Sequence, residues 1–537
     1  MVGSLHGPLW NGSAPGIGRC RRAEPFWHAG TTLVAMLSLM QLVMVLTLLA
    51  TVQNAGATTY VLSPTGSDSN SGLATASPWK TFNYAVPQLH PGDTLMLLDG
   101  TYTKAANGHL TIVGMNGTPS SPITFHAQNQ RQAHLDGDGL TDTMTIDNSS
   151  YVVFDGLQVS SEDNAAATSA PDPVGARYSH HLIFKNMLVH HNNRYKNSHL
   201  MTFNVVADSL VEDTELYYHH RHGILVYHSN ANTFRRLYCN SRGYGSIPGG
   251  FPNGHGITGG DVCLSIYPGS NNLLENVISD GPQVTFDIQA TQVSSGNRFF
   301  GVIGIGSWYG GVIKARGNTA AEQPVNNVIK DMVVINAESV GLYARGAKGT
   351  RCDQCTIIGS GNSGVIADVE MGGGGDGTAS FYATNILSLN NRNYGIGISN
   401  QTDWLVQYTN SYNNVGLQYY PVRSANLANN IQRDPQLGPC RVYLPDNSPM
   451  KGAGKNGTDI GASVLYRYQD GVLTNIPLWD PTTGKFPCGS VVAGVNDVPG
   501  SSCSDVHQRL NVNTNGCSFP SSFRNRGADK TEPGRVF

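Results

Sequence analysis

"YVVFDGLQV" (151–159), "HLIFKNMLV" (181–189) and "NNVIKDMVV" (326–334) share one shape: an apolar run, a polar turn residue, then a second short apolar run. Further copies are "SLVEDTEL" at 209, "NTFRRLYC" at 232, "NLLENVIS" at 272, "NRFFGVIG" at 297, "RCDQCTII" at 351, "SFYATNIL" at 380 and "DWLVQYTN" at 403. Their starts lie roughly 23 to 40 residues apart, the period of stacked coils rather than of independent domains. Each phrase holds two or three strands of about four to six residues, and a glycine opens the last of them. No segment between the copies keeps a helical period. This is the pattern of an all-β, single-stranded parallel β-helix, a solenoid of about ten or more coils. Alternation points Ile224 and Val226, Leu342 and Ala344, Val365 and Ala367, and Ile396 and Ile398 inward. Asn186, Asp213, Asn276 and Asp331 share one repeat position and read as a turn ladder that satisfies backbone groups from coil to coil.

Composition agrees with this reading. Charged residues make up only 13% of the chain and glycine 63 of 537 positions, which suits turn-rich β-structure better than helix bundles. The formal charge of −3 gives no global attraction to nucleic acid or to an anionic polymer, so an acidic ligand needs a local cationic cluster. Arg19, Arg21 and Arg22 precede an apolar run, Leu33 to Ala50, and Ala55 and Ala57 supply small residues for cleavage before Thr58. Residues 1–57 are therefore expected to be an export signal or an N-terminal anchor. After cleavage the chain is expected to be secreted, periplasmic or at the cell surface, with no membrane contact.

The remaining divisions are a cap with the first coils at 58–148, repeats at 149–430, an exit segment at 431–462 and a cysteine-containing extension at 463–537. Of nine cysteines, all but Cys20 follow the signal, and an even number outside the cytoplasm favours disulfides. "CDQC" (352–355) reads as structural thiols or a local bridge. Cys488, Cys503 and Cys517 lie in a segment that would need covalent bracing.

Residues 60–103, "YVLSPTGSDSNSGLATASPWKTFNYAVPQLHPGDTLMLLDGTYT", resemble the N-terminal cap of secreted right-handed parallel β-helix proteins of the pectate-lyase-like superfamily. In that resemblance a strand, a Gly/Ser/Asp loop and a short capping helix plug the first coil. "DPQLG" (434–438) and "SPMKGAGKNGTDIGA" (448–462) are similar to the segment by which such chains leave the last coil. The resemblance spans about residues 58–462 and implies the right-handed fold.

A stacked sheet offers a groove with one outward residue per coil every ~4.8 Å, which suits a linear saccharide. Counting from the glycine of each final strand, with one extra residue allowed at Gly310 and Gly311, places Tyr227, Gln289, Lys314, Arg345 and Asp368 in one outward column. A lysine crowded by arginines has its pKa driven down toward a usable base, and an arginine holds a carboxylate without losing its charge. "VIKARGN" (312–318), "NNVIKDMVV" (326–334) and "GLYARGAKG" (341–349) are similar in order to motifs of polysaccharide lyase family 6, the alginate and chondroitin lyases. That resemblance implies β-elimination on a uronate polymer, with Lys314 as base and Arg345 as partner acid or clamp.

Arg316, Tyr227, His228, His222, Arg221, Arg242 and His220 are the candidate substrate-binding residues. No residue is assigned to a metal. Calcium, which some family 6 members use, has no identified ligands in "GIGSWYGG" (304–311). The histidines between His180 and His228 read as a stacked turn ladder, as a metal cluster, or as a second place for a base. Two other classes stay open. "NGHGITGG" (253–260) resembles a polygalacturonase-type hydrolase signature without its carboxylates, and a non-catalytic glycan-binding solenoid needs no base at all. The expected partner is an anionic polysaccharide, with no nucleic acid, and the chain is expected to be a monomer.

Overall fold

A computed structural model describes residues 56–252, 259–369, 377–463, 465–480 and 485–513, and residues from Ala57 onward form one compact unit. Most of 1–57, the triplet at 254–256 and Cys517 lie outside the described residues. Among those described, three long parallel sheets of 14, 12 and 12 strands stack coil upon coil. One coil shows the path. Leu210–Glu212 lies in the first sheet, Glu215–Tyr217 in the second and His222–Tyr227 in the third, and Thr233–Arg235 returns to the first one rung on. This is the expected right-handed parallel β-helix. Among the described residues no helix is long and apolar enough to cross a membrane.

The inward pairs read from alternation are buried and in register, Leu342 on Val365 on Ile396 and Ala344 on Ala367 on Ile398. Phenylalanines stack up the interior, Phe125 on Phe154 at 5.4 Å and Phe154 on Phe184 at 4.9 Å between ring centroids. At the N-terminal end the helix Phe82–Ala85 closes the core. Thr81 caps it by accepting from the Tyr84 N–H, and Phe82 and Ala85 face inward.

The repeated glycine has a steric cause at the corner where the third sheet begins. A Cβ on Gly310 would stand 2.3 Å from the Gly341 carbonyl, and one on Gly341 would stand 2.7 Å from the Gly364 carbonyl. Successive backbones approach too closely there for a side chain. Gly310 and Gly311 both abut core side chains, Val334 and Phe286, and this doubled inward step leaves Lys314 on the outer face.

The ladder that satisfies backbone groups is not the one expected. Asn186, Asp213, Asn276 and Asp331 do share a position, a left-handed turn with φ between 49° and 58° that joins the first sheet to the second. Their side chains turn outward instead: Asn276 accepts from the Tyr468 N–H and Asp331 from the Ser463 N–H, which docks the C-terminal extension. The internal ladder is Asn232, Asn272, Asn297 and Asn327 at the entry to the first sheet. Each amide oxygen from Asn272 on accepts from the backbone N–H and the side chain of the asparagine one rung earlier, at 2.9–3.2 Å.

The extension has no core of its own. Leu478, Trp479, Phe486, Val506 and Leu510 pack onto Tyr217, Tyr238, Ile278 and Ile303 on the outer face of the second sheet. Buried Arg131 pairs with Glu215, which also accepts from the Gly489 N–H at 3.0 Å. Cys488 is bonded to Cys503, and Cys440 is also disulfide-bonded. Cys239, Cys263, Cys352 and Cys355 are buried free thiols, contrary to full pairing. Stacked inside successive coils, they fill volume as small apolar groups.

Candidate functional site

The outer face of the third sheet carries the column expected from the glycine register. Gln289 pairs with Lys314, Lys314 with Arg345 and Arg345 with Asp368, on consecutive rungs. Toward the N-terminus the same column holds Tyr227, Asn204, Arg177 and Asp147. Lys314, Arg345 and Asp368 are partly buried, while Arg316 is exposed and sits 5.9 Å from the Tyr267 ring centroid.

A second outward column, two residues earlier in each strand, supplies groups that the sequence reading passed over. Ser265, Asp287, Val312 and Tyr343 follow one another there. Asp287 is buried and accepts from the Gln289 amide at 2.5 Å, and the Tyr343 hydroxyl donates to Asp368 at 3.2 Å. Val262, Val284, Val312, Tyr309 and Tyr343 form a small apolar cluster on this outer face, apart from the main core.

Electrostatics in this groove pull Lys314 both ways. Burial is the largest influence and lowers its pKa, Arg316 and Arg345 push the same way, and Asp287 and Asp261 oppose them, with a net shift downward. Asp287 moves upward, chiefly through burial, although Lys314, Ser265 and Gln289 favour its charged form. Both groups, a partly desolvated amine and a buried carboxyl on neighbouring columns, are thus nearer neutrality than in water. Asp261 is engaged by Arg221 at 2.6 Å, and Asn197 accepts from Arg221 at 2.9 Å. Asp287 accepts from Gln289 through one oxygen while the other is buried without a hydrogen-bond partner among the described residues, and with Asp261 held by Arg221 this is too few oxygens for calcium, which takes about six to eight. Among the described residues no group of three or more His, Cys, Asp or Glu is arranged to hold a metal.

The other candidates divide by place. Tyr227 lies in the column, and the ring of His228 meets it edge-on at 4.3 Å. His222 is buried, stacked on His199 at 4.7 Å, and His220 is buried with Nε2 at 2.8 Å from the Phe251 carbonyl oxygen. Burial drives His199 and His219 down to about 3, and His222 well below its ordinary value. Next to them Asp172, also buried, is pushed up to about 8. This is an internal cluster of neutral groups. Arg242 is not brought to the groove: it pairs at 2.7 Å with Asp280, which also binds Arg509 of the extension at 2.7 Å, on the second sheet. The alternation of Asp287 and Gln289 in "VTFDIQA" was visible in the sequence, whereas the pairing of Arg221 with Asp261 was not.

A family model described as Pel9A-like, right handed beta helix region matches residues 59–220. No curated protein matches the chain at the sequence level. Among solved structures, pectate lyase Pel9A is similar at 15% identity and a TM-score of 0.42, over 76% of this chain and 96% of that one. A mannuronic acid specific polysaccharide family 6 lyase from human gut microbiota is 11% identical, with a TM-score of 0.47 over 71% and 92%. A PL6 family polysaccharide lyase from Pseudopedobacter saltans is 13% identical, with a TM-score of 0.45 over 71% and 97%. The fold itself rests on the family model and on the three stacked parallel sheets: the chain is a right-handed parallel β-helix.

Proposed function

We propose that this protein is an exported polysaccharide lyase that cleaves a uronate-containing polymer by β-elimination, with Lys314 as the base and Arg345 as the carboxylate clamp. The observation that carries the reading is the adjacent-rung pairing of partly buried Lys314 and Arg345 on one outer face, with the lysine pKa lowered by burial. Arg345 neutralises the C5 carboxylate and so acidifies the C5 proton. The neutral Lys314 amine takes that proton, the C4–C5 double bond forms as the C4–O bond breaks, and the departing oxygen is protonated from water in the groove. No step is routed through a metal. The polymer is the expected partner and the cell exterior the expected place of work.

Incubation with alginate, pectate and chondroitin, with unsaturated product followed in the ultraviolet and reducing ends measured separately, tests the reaction class. Both signals should rise together on at least one polymer. Reducing ends without unsaturation would make the protein a hydrolase, and binding without either product would make it a glycan-binding solenoid.

A further inference from the structure

The column that holds Tyr343 continues beyond the charged groups. Tyr343 pairs with Ile366, Ile366 with Gly397 and Gly397 with Tyr420, three rungs or about 14 Å from tyrosine to tyrosine. Tyr394 and Tyr420 stack there at 5.1 Å between centroids and 16° between planes. Gly397 makes room for them, because a Cβ at that position would stand 3.0 Å from the Tyr394 ring. Tyr420 is 42% exposed, and neither ring belongs to the buried core, although the neighbouring Tyr419 does. Nearer the charged groups, Tyr309 and Tyr343 make a second pair, stacked at 5.9 Å and 21°.

We infer that Tyr394 and Tyr420 form a distal sugar-stacking subsite for the same polysaccharide chain that crosses Lys314 and Arg345. The inference rests on the groove assignment above and extends it. A flat, wet aromatic face with a hydroxyl at its edge matches a sugar ring, which is apolar on its C–H face and polar at its rim. Only a chain of several sugars reaches both this pair and the lysine. The occupant is therefore a linear oligosaccharide, read at one end by charge and at the other by ring stacking.

Affinity electrophoresis in gels containing alginate, pectate or chondroitin tests this, using wild type, Tyr420→Ala, Tyr420→Phe and Tyr394→Ala, with thermal unfolding as a check on folding. Tyr420→Ala should unfold as wild type does and bind the retarding polymer about tenfold more weakly, whereas Tyr420→Phe should bind nearly normally. Unchanged retardation of a folded Tyr420→Ala overturns the subsite. So does absence of retardation of wild type by all three polymers, or a concentration-dependent dimer that Tyr420→Ala abolishes. If wild type forms no unsaturated product but its retardation depends on Tyr420, the subsite stands and the lyase reading falls. If product forms and Tyr420→Ala binds normally, the lyase reading stands alone.

Discussion

Lys314, the proposed base, is the residue on which the lyase reading depends, and its neighbours define how to test it. Lys314→Arg keeps the charge yet removes an amine that can lose its proton near neutrality, so kcat should fall by about 10²–10⁴-fold while polymer binding persists. Full activity would reduce the residue to an electrostatic contact. Arg345→Ala should raise KM and lower kcat together, since the clamp acts on both ground and transition states. Because a base must be unprotonated and the Lys314 pKa is lowered, kcat/KM should rise with pH along a limb lying below the ordinary lysine value of 10.5. A limb at or above that value would contradict the assignment. Asp287 entered this picture only with the structure. Alternation shows that it faces outward, but its depth depends on what packs over the sheet.

At the level of the coil, two devices make separate predictions. Asn272→Ala removes an acceptor for the Asn232 N–H and a donor to the Ser229 carbonyl, both buried. Leaving two such groups unpaired should cost about 2–4 kcal/mol, read from denaturant unfolding. A loss below about 0.5 kcal/mol would show that the ladder is dispensable. The cysteines give the second. Cys239, Cys263, Cys352 and Cys355 should all react with a thiol reagent after denaturation without reductant, and not before it. Full pairing, the expectation from an even cysteine count, would leave none of the four reactive. The error has a physical source, since a stacked coil buries a thiol as readily as an alanine and parity says nothing about which side chains meet.

For the whole molecule, the buried histidines set the response to acid. His199, His219 and His222 stay neutral in the fold, and the unfolded chain binds their protons near pH 6.5. Stability is therefore complete above that pH and is lost as pH falls from 6.5 toward 3. Asp172, raised to about 8 from 3.8, acts in the opposite sense between those values, one group against three. The melting temperature should fall from pH 7 to pH 4, and more steeply in Asp172→Asn. A flat profile would mean that the cluster is not buried in solution. The repeat, the inward pairs and the Lys314–Arg345 column were legible in the sequence by itself, because each depends on alternation and on one glycine per coil, which are local. Only the tertiary structure decided that the extension covers the second sheet, that Arg242 is spent on Asp280 and that the asparagine ladder lies at another corner. The first of these outcomes rests on contacts such as the Cys503 N–H with the Tyr217 hydroxyl, 286 residues apart, and the others on partners one rung away, none of which a local period encodes.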